Sequence, residues 1–127
     1  MKFENVLGSQ VLVLDGAMGT MVQNLELDDA AFGGAAFKML TDLLIFSRPD
    51  DLEGIHLKYL QAGANLIETN TFGASPLRLK EFDFTQIDLA DIRAVPQGLN
   101  LKKSDSSAIT HHLNLEGCRV ARKAIDS

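Results

Sequence analysis

Cysteine is nearly absent from this chain of 127 residues, which has a single one, Cys118. One cysteine cannot form an internal disulfide, and this is typical of proteins in a reducing compartment. Long apolar runs are absent too, and none approaches the roughly 18 residues that a membrane-spanning helix needs. The first residues lack the apolar segment of a signal peptide. We therefore expect a cytoplasmic protein without a membrane partner.

Positive charge is also scarce. The chain has 12 Lys and Arg against 17 Asp and Glu, a formal net charge of −5 and a pI of about 5.0. Because nucleic-acid-binding domains carry a basic patch or stripe, we expect no nucleic-acid partner. The remaining composition, with 46% hydrophobic and 23% charged residues, is ordinary for a globular protein. The length allows at most one domain.

Two short apolar runs each end in a polar loop. Residues 11–14 (VLVL) lead into Asp15-Gly16, and residues 64–67 (ANLI) lead into Glu68-Thr69-Asn70. A run that is apolar on both faces is typical of a parallel strand buried between layers. Enzymes of the α/β class place their sites at the carboxyl ends of such strands. We therefore expect the functional residues in these two loops.

Helix signals lie between and after the two runs. Pro49 suits the first position of a helix, acidic residues follow it, and Gly63 fits its end. Ser75-Pro76 predicts a short helix that ends near Glu81. A last helix is predicted over about 107–125, with an apolar face formed by Ile109, Leu113, Val120, Ala121 and Ala124.

The order of these elements predicts an α/β fold. Strand, helix and strand with a short final connection form a βαβ unit with parallel strands. The connections over about 21–47 and 73–107 are longer than ordinary loops, and long loops are usually functional. Within the first, residues 43–46 (LLIF) are either a strand or a buried turn. Because an eight-stranded barrel takes about 250 residues, we predict a partial (β/α)8 TIM barrel: its first two β/α units, with long βα loops.

Three sequence strings resemble the homocysteine S-methyltransferase family, and within it the homocysteine-binding module of the cobalamin-dependent methionine synthases. They occur in the family's order, at residues 11–23 (VLVLDGAMGTMVQ), 47–75 (SRPDDLEGIHLKYLQAGANLIETNTFGAS) and 112–126 (HLNLEGCRVARKAID). The resemblance implies that residues 1–127 are an N-terminal fragment of a homocysteine-binding TIM-barrel domain. It also implies an enzyme that transfers a methyl group to the homocysteine thiolate and forms methionine.

The resemblance implies two cofactors for the full-length parent. Zinc binds the homocysteine sulfur and lowers the pKa of the thiol, so that a nucleophile exists at neutral pH. In the cobalamin-dependent branch methylcobalamin donates the methyl group, and later folate and cobalamin modules recharge it. The three cysteines that bind zinc in the family have no counterparts in this chain. We therefore expect this chain alone to bind no metal or cofactor and to be inactive.

Other functions fit the same residues. In a second interpretation, the parent is also an enzyme, but it uses another methyl donor, such as betaine or S-methylmethionine, or carries a methylenetetrahydrofolate reductase module. A different class of protein, a small non-catalytic binding or interaction module, is a third interpretation. The methyl donor is not readable from this sequence.

The first loop supplies three candidate residues for substrate binding. Asp15 matches the family aspartate that is expected to bind the substrate ammonium, and a carboxylate at a strand end suits that role. The alternative is that Asp15 caps the glycine turn through an Asx-type bond. Gly16 and Ala17 offer backbone N–H groups to the substrate carboxylate, or they form a plain tight turn.

The second loop supplies two more candidates, Glu68 and Asn70. Alternation along a strand puts these two side chains on one face and Thr69 on the other, without showing which face lines the site. Their role is either substrate contact or bonding between neighbouring loops.

Two further residues attract attention because of their chemistry. Cys118 lies among apolar residues of the last helix, and we interpret it as a small buried hydrophobic residue, with no catalytic or metal-binding role. His56 lies in the first long helix, and we interpret it as a surface residue or one with satisfied hydrogen bonds.

Overall fold

The structure, a computed structural model, describes residues 2–127, and helices form its framework. Its α-helices are α1 (Phe3–Leu7), α2 (Met18–Gln23), α3 (Leu44–Ser47), α4 (Pro49–Gln61), α5 (Pro76–Leu79) and α6 (Ser106–Asp126). Short 3-10 turns lie at Asp29–Phe32, Ala35–Phe37, Thr41–Leu43 and Phe84–Gln86. Among the described residues, no helix is both long and apolar enough to cross a membrane.

The predicted α/β fold, a partial (β/α)8 TIM barrel, is wrong, because residues 2–127 contain no β-sheet. The two apolar runs are extended and lie side by side, but they share one isolated parallel bridge, between Leu14 and Leu66. The Asp15 N–H donates to the Leu66 carbonyl at 2.9 Å, and the Asn65 N–H donates to the Val13 carbonyl at 2.8 Å. The parallel direction is therefore as predicted, whereas the sheet is not formed.

Exposure of the first run explains why the pairing does not extend. Parallel strands are stable where both of their faces are covered, and two strands alone are marginal. Here Val11 is 90% exposed, and Val13 and Leu14 remain about half exposed. The apolar pattern of residues 11–14 favours an extended backbone. A sheet also requires neighbouring strands, which this pattern does not provide.

Helix α4 begins and ends where its local signals predict. Pro49 occupies the first turn with Asp50 and Asp51, where acidic side chains stabilise the positive end of the helix dipole. The chain leaves the helix through Gly63, whose φ of 109° is a conformation that favours glycine. Leu52 and Ile55 are buried, whereas Tyr59 and Leu60 are partly exposed.

Helix α6 packs against α4 and α5 and is also as predicted, to within a residue at either end. The Asp105 carboxylate accepts the Ala108 N–H at 2.8 Å, which caps the first turn. The buried face consists of Ile109, Leu113, Gly117, Ala121 and Ala124. Val120, predicted for this face, is only partly buried.

The segment between α2 and α4 is folded into the core. Residues 43–46 are buried in the 3-10 turn and α3, so the buried-turn alternative holds and the strand alternative is wrong. Phe37 is buried beside them, and its ring lies 5.7 Å from that of Phe82 and 5.3 Å from that of Phe84. These contacts join the first long connection to the second, where Ser75 caps α5 by accepting the Arg78 N–H at 3.2 Å.

Candidate functional site

A cleft of about 470 Å³ opens where the two extended runs end. The five residues predicted for substrate binding all line it, and they come from both loops: Asp15, Gly16, Ala17, Glu68 and Asn70. The other lining residues, none of which was predicted to bind substrate, are Met18, Gly19, Thr41, Thr69 and Phe72. The parallel pairing of the two runs therefore brings together loops that are about fifty residues apart in the chain.

Asp15 ties the two loops together. One carboxylate oxygen, Oδ2, accepts the Glu68 N–H at 3.1 Å. The other, Oδ1, is buried and has no hydrogen-bond partner among residues 2–127. The Asx-type cap of the glycine turn is not formed, since Asp15 bonds across to the second loop. No Lys, Arg or His side chain of the described residues forms an ion pair with this carboxylate.

Tyr59 of α4 holds the first loop in place. Its hydroxyl donates to the Ala17 carbonyl at 2.7 Å, and a Cβ on Gly16 would lie only 3.3 Å from that hydroxyl oxygen. Glycine at position 16 thus permits the close approach. Within the described residues the N–H groups of Gly16 and Ala17 donate no hydrogen bond, so both remain available beside the cleft.

The side chains of the second loop are divided between the cleft and a second cavity, without the strict alternation that was predicted, since Thr69 borders both. Glu68 and Asn70 both line the cleft, whereas Ile67 lines the second cavity, on the side of α6. Thr69 borders both cavities, and its hydroxyl lies 2.7 Å from that of Thr71. Asn70 is buried and its Nδ2 donates to the Thr41 carbonyl at 3.1 Å, which is the loop-bonding role. Glu68 is exposed.

Asp42 is a structural residue of this region that sequence reasoning missed. It is buried, and its two carboxylate oxygens accept the Gly73 N–H at 3.0 and 3.3 Å. Burial raises the pKa of Asp42, while its hydrogen bonds and the nearby Arg78 partly oppose that rise. A lone acidic residue in an apolar stretch, as in the string LTDLLIF, is the signal that was available.

His56 was interpreted from the sequence as a surface residue or as one with satisfied hydrogen bonds, and both interpretations are wrong. The side chain is fully buried in α4, and neither ring nitrogen has a hydrogen-bond partner among the described residues. Burial lowers the pKa of His56, and the charge of Asp15 acts in the opposite direction.

Cys118 lies away from the cleft, and the prediction that it is buried is wrong. It is exposed on α6 and borders the second cavity, of about 550 Å³, with Arg119 and Arg122. Cys118 is exposed because of its position on the helix, since the buried face of α6 passes through Gly117 and Ala121. Among residues 2–127, no three His, Cys, Asp or Glu side chains are grouped as a metal site requires. The residues present therefore do not fit a thiolate-bound zinc ion.

Groups that can bind an ammonium and groups that can bind a carboxylate lie together in the cleft. Among the described residues, the Asp15 carboxylate has no counter-ion, and the Gly16 and Ala17 N–H groups next to it in the same loop donate no hydrogen bond. A carboxylate suits an ammonium group, and adjacent N–H groups suit a carboxylate. An α-amino acid presents both groups on one carbon.

A comparison with known protein families gives a match that spans the cleft. The model of the family described as homocysteine S-methyltransferase matches residues 12–127, which include the whole cleft. The chain belongs to the homocysteine S-methyltransferase family.

One relative is a methionine synthase from Mycobacterium leprae (strain TN). It is 46% identical to this chain over 77 residues, which are 61% of this chain. The chain spans only 6% of the length of that relative.

Proposed function

We propose that the cleft binds the amino-acid end of homocysteine, in an enzyme that transfers a methyl group to the homocysteine sulfur and forms methionine. The observation that carries the proposal is the Asp15 carboxylate, which lines the cleft and, within residues 2–127, has one N–H partner and no cation. Family membership supplies the substrate, and the methionine synthase relative favours that branch of the family.

Each group of the cleft has a role in this binding. The substrate ammonium pairs with Asp15, which forms a charge-assisted hydrogen bond. The substrate carboxylate accepts the N–H groups of Gly16 and Ala17, whose loop is held by Tyr59. Asn70 supports the opposite wall through its bond to Thr41, and Glu68 contributes its backbone N–H to the orientation of Asp15.

We infer that this chain forms part of the homocysteine-binding module of a longer enzyme. The small share of the relative that it spans supports this inference. Zinc and cobalamin, implied by the resemblance to the cobalamin-dependent branch, belong to other parts of that enzyme. The exposed Cys118, outside the cleft, is consistent with this division. Alone, this chain would therefore bind substrate without completing methyl transfer.

Binding of three small thiols to the 127-residue chain tests the proposal. L-Homocysteine carries both recognised groups, 4-mercaptobutyrate lacks the amine, and 3-mercaptopropylamine lacks the carboxylate. We expect calorimetry or NMR to show binding of homocysteine, and weaker binding of each analogue because it lacks one of the two recognised groups. Asp15→Asn keeps an oxygen for the Glu68 N–H but removes the charge, and it should weaken homocysteine binding by about 10- to 100-fold.

Asp88→Asn is the matched control. Asp88 is exposed, lies outside the cleft, and its carboxylate also accepts a backbone N–H, that of Ala90 at 2.9 Å. This variant should bind homocysteine like the wild type. Equal affinity for homocysteine and 4-mercaptobutyrate, or an unchanged affinity in Asp15→Asn, would show that Asp15 only ties the two loops together.

A further inference from the structure

Two side chains near the cleft have buried polar atoms without a hydrogen-bond partner among residues 2–127. One is the His56 ring, which is fully buried with both nitrogens unpartnered in the described part of the chain. The other is Oδ1 of Asp15. Buried polar atoms are nearly always hydrogen-bonded, and exceptions call for an explanation. Nothing in the substrate-binding role described above uses His56.

The two groups belong to one small region. Tyr59 follows His56 by three residues in α4, so the two side chains lie on the same side of the helix. Tyr59 contacts the loop directly after Asp15, through the Ala17 carbonyl. The face of α4 that carries His56 therefore lies beneath this loop.

The following inference rests on the proposed function. We propose that His56 is a positioning residue: because its ring is neutral, the Asp15 carboxylate remains free to pair with the substrate ammonium. A protonated His56 would instead neutralise that carboxylate and compete with the ammonium. Proton binding at His56 and homocysteine binding at Asp15 would then exclude each other. Histidine suits this role because it changes charge near physiological pH.

Burial, and not the charges around His56, favours a neutral ring near pH 7. Burial lowers the pKa of His56 below its ordinary 6.5, and Asp15 is the one charge that acts against this effect. Two of the helices packed against α4, α2 and α3, carry no titratable side chain. On α6, Lys123 pairs with Glu53 at 3.2 Å, and with Asp50 at 3.9 Å.

Reciprocal linkage supplies the test. The Asp15 carboxylate raises the pKa of His56. If the substrate ammonium pairs with this carboxylate and offsets its charge, homocysteine binding must lower the pKa of His56. NMR titration of the imidazole C–H signals measures this directly, with His111, which is exposed on α6, as a reference in the same spectra. We expect saturating homocysteine to move the His56 midpoint to lower pH, and 4-mercaptobutyrate to leave it in place.

Asp15→Asn tests the same coupling without any ligand and without changing the buried histidine. The variant removes the charge that raises the pKa of His56, so the midpoint should fall, and homocysteine should no longer move it. A midpoint equal to that of the wild type would overturn the coupling of the two residues.

A pH profile separates positioning from a merely structural role. Below the midpoint of the His56 titration, the affinity of the wild type for homocysteine should fall with pH, and the slope should approach about tenfold per pH unit. His56→Gln, which cannot be protonated, should bind with a flat profile across the pH range in which the wild type weakens. Identical profiles in the two proteins would overturn the inference.

The inference and the proposed function fail in different ways. If homocysteine binds and depends on Asp15 but leaves the His56 midpoint unchanged, only the inference is overturned. If homocysteine does not bind at all, both are overturned.

Discussion

Asp42 and Gly73 form a buried tie between the first long connection and the loop that completes the cleft. Both carboxylate oxygens accept the single Gly73 N–H, at 3.0 and 3.3 Å. The glycine is necessary at this distance, since a Cβ at position 73 would lie 2.8 Å from Oδ1 of Asp42. This tie positions the segment from Asn70 to Gly73 and therefore one wall of the cleft.

The raised pKa of Asp42 predicts a specific pH dependence of stability. Burial, the largest cause, holds the pKa of Asp42 in the folded protein above its ordinary value of 3.8. Between the pKa of the unfolded chain and that of the folded protein, the folded protein therefore binds more protons. As pH rises through that window, the wild type should lose stability relative to Asp42→Asn. Urea unfolding of both proteins between pH 3 and 7 measures the difference, and the titration of His56 cancels because both proteins carry it. A difference that grows in favour of the wild type with rising pH would contradict the prediction.

Two helical glycines should respond to alanine in opposite ways. A Cβ on Gly117 in α6 would lie 2.7 Å from Cγ2 of Thr71 and 3.2 Å from Cδ1 of Ile45, whereas nothing lies within 4 Å of one on Gly54 in α4. Gly117→Ala should cost about 1–3 kcal/mol in free energy of unfolding through overpacking. Gly54→Ala is the matched control and should stabilise by roughly 0.5–1 kcal/mol. Chemical denaturation measures both, and stabilisation by Gly117→Ala would show that α6 is not held this closely.

The cap of α6 is a local interaction that can be tested by itself. The Asp105 carboxylate accepts the Ala108 N–H, so Asp105→Ala should lower the free energy of unfolding by about 0.5–2 kcal/mol. Asp105→Ser retains a capping oxygen and should recover most of that loss. Thermal unfolding followed by circular dichroism measures the three proteins. Equal losses in the two variants would assign the effect to charge and not to capping.

The bond from Tyr59 to Ala17 should affect ligand binding through the shape of the loop. Tyr59→Phe keeps the ring but removes the donor to the Ala17 carbonyl, at a cost of about 0.5–1.5 kcal/mol in stability. Because the N–H groups of Gly16 and Ala17 depend on this loop, we expect homocysteine affinity to fall a few-fold. 3-Mercaptopropylamine lacks the carboxylate those groups recognise, so its affinity should change less. An equal loss for both ligands would place the effect at Asp15 instead.

Local chemistry was enough to predict the long helices and one short cap. Pro49 and Gly63 mark the start and end of α4, and Ser75 caps α5, through interactions that span only a few residues. Such signals are readable without knowledge of the fold, because the partners are close neighbours in the chain. The three sequence strings were likewise enough to indicate the homocysteine S-methyltransferase family, which the family comparison confirms.

The grouping of the five cleft residues was predictable for a related reason. Asp15 and Glu68 each follow an apolar run, and two parallel runs bring their ends together. The face of the second loop that lines the cleft was not predictable, because alternation defines two faces without orienting either. The packing of α6 on the side of Ile67 leaves the other face to the cleft.

Tertiary structure alone decided burial and the absence of a sheet. His56 and Asp42 are titratable residues that the sequence shows as ordinary, yet packing removes both from water. Cys118 looks apolar in its helix but is exposed, because the side that faces the core is set by α3, α4 and α5. The runs at 11–14 and 64–67 have the pattern of buried strands, but a sheet needs partners from outside the run. Contacts between distant segments determine these features, and a pattern within one segment does not contain them.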